Sequence, residues 1–101
     1  MLPVEFFAPF KTMCIYLRVD PVDLLSVAAN ESGLNAAAHN KNGHASGLWQ
    51  LMPATAKGLG WDVASDPELA AFRALGPVAQ LPWWQRYFAP HRGQLVNAAA
   101  C

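Results

Sequence analysis

One carboxylate and one amide carry most of the chemistry this sequence can offer. Glu31 falls in the run Ala28-Ala29-Asn30-Glu31-Ser32-Gly33-Leu34-Asn35, and Gln50 follows nineteen positions later in Gly47-Leu48-Trp49-Gln50-Leu51-Met52. Leu24, Val27, Ala28 and Glu31 recur at i, i+3, i+4 and i+7, so a helix here would carry Glu31 on its apolar stripe. Glu31 would also lie in the last turn, where the helix dipole is negative and disfavours an anion. Burial and dipole would both favour the protonated acid, the form a general acid requires. The plainer alternative is a partly exposed glutamate at a frayed helix end, or one paired with Lys41 or Lys57.

The second segment offers contacts for a polar ligand. Gln50 presents a donor and an acceptor that suit sugar hydroxyl or acetamido groups. Gly47 lets backbone approach a ligand closely, and Trp49 and Met52 offer apolar surface to a sugar ring face. The same Leu-Trp-Leu-Met run also reads as core packing with an incidental Gln. His39, His44 and His91 lack metal-ligand spacing, and Cys14 and Cys101 make neither a metal site nor a disulfide framework. No metal and no cofactor is therefore expected. Cys14 reads as a small buried hydrophobe on a helical stripe, with a Cys14–Cys101 disulfide as the open alternative.

Helices must position these groups. Val4, Phe7, Phe10, Met13, Cys14 and Leu17 define one, beginning between residues 3 and 9 and ending near Val19. Asp20-Pro21-Val22-Asp23 is a helix start, with Asp20 as cap and Pro21 in the first turn. That helix runs to about Ser32, where Gly33 supplies a left-handed C-cap. A polar loop with a short hairpin as an option covers 33–46. Pro53 opens a short helix that Gly58-Leu59-Gly60 breaks. Ser65-Asp66-Pro67-Glu68 reads as another start, with Leu69, Phe72 and Leu75 as its stripe and Gly76-Pro77 as its stop. Leu81-Pro82 opens a further helix carrying Trp83, Trp84, Tyr87 and Phe88, ended by Ala89-Pro90. Leu95–Cys101 looks like a helix that stops without a cap, so the domain is expected to be incomplete at its C-terminus. With no strand, repeat or linker, the expectation is one mainly α domain over 1–101.

Composition narrows the function classes. The formal net charge is zero, and no basic stripe exists, so nucleic acid is not an expected partner. Only 14% of residues are charged and 53% are hydrophobic, which supports a packed core over a disordered tail. No run reaches membrane-spanning length. Met1–Leu17 lacks a basic leader and is broken by Pro3 and Pro9, so no signal peptide is expected.

Taken together, Glu31-Ser32-Gly33-Leu34-Asn35 and Gly47-Leu48-Trp49-Gln50-Leu51-Met52-Pro53-Ala54-Thr55-Ala56 closely resemble the catalytic domain of the soluble lytic transglycosylases, within the goose-type-lysozyme-like group. Asp20-Pro21-Val22-Asp23-Leu24-Leu25 also resembles that family's approach to the catalytic helix, so the likeness spans about residues 12–60. The resemblance implies a lysozyme-like helical domain that binds peptidoglycan glycan strands. It implies cleavage of the β-1,4 bond from N-acetylmuramic acid to N-acetylglucosamine, with a 1,6-anhydro ring formed on the muramyl product. Glu31 would serve as acid and then base, without a second catalytic carboxylate. It further implies that Gln50 and Met52 line the substrate path with Gly47, Leu48 and Trp49, that Ser32 supports the glutamate, and that Asn40 contacts substrate. The family's later tyrosine motif is not in sight, and Tyr87 is the candidate to replace it.

Two alternatives stand beside this reading. One is a muramidase on the same scaffold, for which Asp62 is the loose candidate base. The other is a non-catalytic glycan-binding or structural component of a phage particle. The settings expected are a phage or prophage particle, a domain of a larger exported enzyme acting on the cell wall or periplasm, or a secretion-system accessory with its partner proteins. The Met-initiated layout favours the first.

Overall fold

A computed structural model describes residues 2–94. Among the described residues there are five α-helices: α1 Phe7–Leu17, α2 Pro21–Ser32, α3 Pro53–Gly58, α4 Ala70–Ala74 and α5 Gly76–Phe88. Short 3-10 turns precede α1 at Val4–Phe6 and follow α5 at Ala89–His91. Among the described residues there is no strand, only two isolated antiparallel bridges, His39 with Ser46 and Ser46 with Leu51. The domain is mainly α, as the lysozyme-like expectation required. The uncapped helix expected over Leu95–Cys101 lies outside the described residues.

α1 packs on α5 and α2 and buries Phe10, Met13, Cys14 and Leu17, with Phe6 continuing the stripe from the 3-10 turn. Val4 and Phe7 were expected on that stripe. Instead Val4 is 82% exposed and Phe7 40%, because the tighter three-residue turn at Val4–Phe6 brings Phe6 inward instead. α1 ends at Leu17, two residues early, where Arg18 turns left-handed and Val19 folds back to donate to the Cys14 carbonyl at 3.1 Å. α2 begins as its sequence dictates, with the Asp20 carboxylate accepting from the Val22 amide at 2.8 Å and Pro21 in the first turn.

The second half departs from the sequence reading in two places. The helix expected from Asp66 starts only at Ala70, although Asp66 still caps it: its carboxylate accepts from the Ala71 and Phe72 amides at 3.1 and 3.2 Å. The Trp61 indole donates to the same carboxylate at 3.0 Å, which fixes it as a bridge rather than a first-turn cap. Gly76, at φ +81°, does end α4, but Pro77 then occupies the first turn of α5, and Pro82 sits inside α5 instead of opening it. A proline there removes the bond to the Val78 carbonyl. Both Pro82 and Val78 face solvent, so water can satisfy that carbonyl.

The core is a run of aromatic rings centred on Trp49. Its indole stacks on Phe10 at 6.1 Å between centroids and meets Trp84 and Phe88 edge-on at 5.4 and 5.7 Å. α1, the Gly47–Leu51 segment and α5 are thus joined through one side chain.

Candidate active site

α2 ends by leaving the right-handed helix at two successive residues. Gly33 and Leu34 take φ values of +65° and +62°, and their amides donate back to the Ala29 and Ala28 carbonyls at 3.0 and 3.4 Å. This sharp exit leaves Glu31 and Ser32 as the last side chains on the helix. The Ser32 hydroxyl lies 2.7 Å from the Leu48 carbonyl and 3.1 Å from that of Ala28, and it accepts from the Asn35 amide at 3.2 Å. One turn and more upstream, the Trp49 indole donates to the Leu24 carbonyl at 3.0 Å. The glutamate helix is therefore tied twice to the Gly-Leu-Trp-Gln segment.

That segment is a closed turn. Ser46 and Leu51 exchange backbone bonds of 2.9 and 2.7 Å, and the Gly47 amide donates to the Ala38 carbonyl at 3.0 Å. Gln50 sits at φ +61° with its amide nitrogen on the Gly47 carbonyl at 2.9 Å. This leaves its side-chain oxygen without a donor among the described residues and its half-buried head free to accept. Gly47 is required here by contact as well as by φ +86°. A Cβ at this position would stand 2.9 Å from Gln80 Oε1, 2.9 Å from the Phe72 ring and 3.1 Å from the Trp84 ring.

Several sequence expectations change in the structure. Glu31 is exposed, not buried, because the inward face of α2 ends at Ala28. No ion pair joins Glu31 to Lys41 or Lys57 among the described residues. Leu48 and Trp49 belong to the core, at 0% and 4% exposure, and present no face to a ligand. Gly47 approaches α4 and α5 rather than a ligand. Met52 is 44% exposed at the start of α3. Asn40 is exposed, and its carboxamide oxygen accepts from the Asn42 and Gly43 amides at 3.1 and 3.0 Å, so it folds its own loop. Tyr87 is half-buried in the α5 aromatic cluster, 5.6 Å from Trp84 and 5.0 Å from Phe88. Ser32 and the Gly47–Gln50 turn are brought together, with Glu31 next to Ser32 at the exposed end of α2. An open apolar groove of about 590 Å³, lined by Leu2, Phe7, Leu25, Gly33 and Leu34, lies against the end of α2.

The main positioning residue missed in the sequence is Gln80. It is fully buried on α5 and satisfied three ways: its amide donates to the Ala36 and Phe72 carbonyls at 2.8 and 3.1 Å, and its oxygen accepts from the Trp84 indole at 3.1 Å. A helical glutamine beside a proline carries no sequence signal for burial. Also unforeseen is a tether on the 39–46 loop. Glu68 accepts from His44 at 3.0 Å, and Arg73 holds the Ser46 hydroxyl at 2.9 Å. The His44 bond, reinforced by the nearby His39 and Arg73, holds the Glu68 carboxyl below the usual carboxylate range. Asp62 is likewise held low by the Ser65 hydroxyl and amide in an exposed turn. No group of three histidine, cysteine or carboxylate side chains among the described residues is placed to hold a metal.

A small helical domain that presents a lone exposed glutamate at a helix end, clamped by a serine to a Gly-Leu-Trp-Gln turn, has the layout of a glycan-cleaving, lysozyme-like fold. A family model described as Transglycosylase SLT domain matches residues 11–73, more than half of the chain and the whole of both motifs. The chain belongs to this family, and at the family level its chemistry is lytic-transglycosylase-type cleavage of peptidoglycan. No solved structure matches it. No helix among the described residues is long and apolar enough to cross a membrane.

Proposed function

We propose that this chain cleaves the β-1,4 bond between N-acetylmuramic acid and N-acetylglucosamine by intramolecular transglycosylation, with Glu31 as the catalytic residue. The observation that carries the reading is the 2.7 Å bond from the Ser32 hydroxyl to the Leu48 carbonyl, which ties the residue that follows Glu31 to the Gly47–Gln50 turn. Protonated Glu31 donates to the glycosidic oxygen as the muramyl C1–O bond breaks. The resulting carboxylate takes the proton of the muramyl C6 hydroxyl as that oxygen bonds to C1. One bond is made and one broken, and no water is consumed. Gln50 offers its free side-chain oxygen as acceptor and Met52 offers apolar surface, both close along the chain to the turn that Ser32 holds. Because Glu31 is open to water in the free protein, the glycan itself must exclude water when it covers the carboxylate, which strengthens each electrostatic contact there.

The test is digestion of purified peptidoglycan followed by mass spectrometry. Muropeptides ending in 1,6-anhydro rings, one water lighter than hydrolysed ends, are expected, and Glu31→Gln should abolish them. Reducing ends in their place would make the chain a muramidase. Binding without any cleavage, equal in wild type and Glu31→Gln, would make it a glycan-binding component.

A further inference from the structure

At the far end of α3 lies a second hollow that the proposed chemistry does not use. Gly60, Trp61, Asp62, Ser65, Asp66, Ala71 and Trp83 enclose about 280 Å³ open to solvent. Trp61 and Trp83 meet at 84° with ring centres 5.0 Å apart, so they form a right-angled corner of two half-buried rings. Both are held in place. The Trp61 indole donates to Asp66 and its ring abuts Phe72 edge-on at 5.4 Å, while the Arg86 guanidinium lies 4.6 Å over Trp83 and reaches the Leu59 carbonyl. Trp49, Trp61 and Trp84 each donate to a protein acceptor, whereas the Trp83 N–H has none among the described residues. A rigid aromatic corner with a free donor and a carboxylate rim suits a sugar ring. Apolar C–H faces lie on the indoles, and hydroxyls donate to the remaining lone pairs of the Asp62 carboxylate, each of whose oxygens takes one bond from Ser65.

We propose that this corner is a distal subsite for an uncharged N-acetylglucosaminyl residue of the glycan strand, an inference that rests on the peptidoglycan reading of Glu31. Continuity supports it. α3 begins at Pro53, next to Met52, and its six residues rise about 9 Å before Gly60 and Trp61. The corner is thus one short helix away along the chain from the Gln50 turn. Charge selects the sugar. Asp62 and Asp66 are both held as carboxylates by their hydrogen bonds, so they repel the lactyl and peptide carboxylates of a muramyl residue and leave the neutral sugar favoured.

The experiment is a titration of the ¹⁵N-labelled chain with the N-acetylglucosamine tetramer, read at the indole and amide signals. The Trp61 and Trp83 indole signals should shift and saturate, while those of Trp49 and Trp84 stay in place. Asp62→Ala should weaken the saturation by about three- to tenfold, the loss expected for one ordinary hydrogen bond at an exposed site. Shifts at the Gln50 side-chain amide and the Glu31–Ser32 backbone with none at Trp61 and Trp83 would remove the distal subsite and leave the catalytic reading standing. No shift at either place would remove both. Equal titration by a glucose tetramer would overturn the N-acetylglucosaminyl assignment.

Discussion

Replacing Gly47 by alanine isolates what the Gly-Leu-Trp-Gln turn costs and gains. Two penalties act at this position. A left-handed φ for a residue with a Cβ costs about 1–2 kcal/mol. The new methyl also enters the 2.9 Å, 2.9 Å and 3.1 Å approaches to Gln80, Phe72 and Trp84, and overpacking of this kind costs about 1–3 kcal/mol. The total is about 2–5 kcal/mol. Gly33→Ala provides the matched control, because Gly33 has φ +65° but nothing within 4 Å of its would-be Cβ. Its penalty is backbone strain alone, about 1–2 kcal/mol. The unfolded-state effect of exchanging glycine for alanine is similar at both sites and cancels in the difference. At about 5 °C per kcal/mol for a domain of this size, Gly33→Ala should melt about 5–10 °C below wild type and Gly47→Ala about 10–25 °C below. Scanning calorimetry of both variants decides the matter. Equal losses would mean that Gly47 is not packed against Gln80, Phe72 and Trp84, and the ligand-approach role expected from the sequence would return.

Other perturbations read the rest of the architecture. Ser32→Ala removes the bond to the Leu48 carbonyl and should cost about 1 kcal/mol of stability, with a larger proportional loss of muropeptide release than of glycan binding; unchanged release would show that the clamp does not position Glu31. Burial of Cys14, with the Asp20 charge as the lesser cause, pushes its thiol up to about 11 from 9.0. A raised folded value means that the stability it supports is full below pH 9 and falls as pH rises towards 11. Cys14→Ala should flatten that part of a denaturation-versus-pH curve, and a slope that persists would assign it to another group. The depressed Glu68 carboxyl has the opposite sign: its contribution is present above the ordinary glutamate range and disappears as acid protonates it. Amide protection in loop 40–46, taken relative to the intrinsic exchange rate at each pH, should therefore fall as pH drops below the ordinary glutamate range in wild type, and His44→Ala should already show the lower protection at pH 6.

The helix that carries Glu31 was legible because its signals are local. Asp20 caps, Pro21 opens and Gly33 closes it, and each acts within four residues. The Pro53 start and the Gly58-Leu59-Gly60 break were readable for the same reason. Gly76 ended α4 as its local signal required, but at Pro77 and Leu81-Pro82 local rules misled, since proline both opens helices and interrupts them, and the solvent exposure of Val78 and Pro82 is what lets Pro82 sit inside α5. The periodicity that placed Glu31 on a buried stripe was correct for Leu24 and Ala28. It failed at Glu31 because a helix face is buried only as far as its neighbours reach, and the inward face of α2 ends at Ala28. Ser32 was placed from family likeness alone, and its partner, the Leu48 carbonyl, could not be named from spacing. Gln80 illustrates the larger gap: its three partners come from a loop, α4 and α5, up to 44 positions away.

The aromatic joint at Trp49 also sets an order of assembly. Its stacking partner Phe10 precedes it in the chain, but Trp84 and Phe88 come some 35 residues and more after it. The end of α1 waits longer still. The Arg92 guanidinium donates to the Tyr16 carbonyl at 2.6 Å and the Gly93 amide to that of Leu17 at 2.9 Å, across 76 positions. A ribosome makes Glu31 and Gln50 well before the residues that seat Trp49 against α5, and contacts of such sequence separation are slow to close. The candidate site is therefore synthesised early and made rigid late, so a nascent chain of this domain carries its glutamate before it carries the framework that aims it.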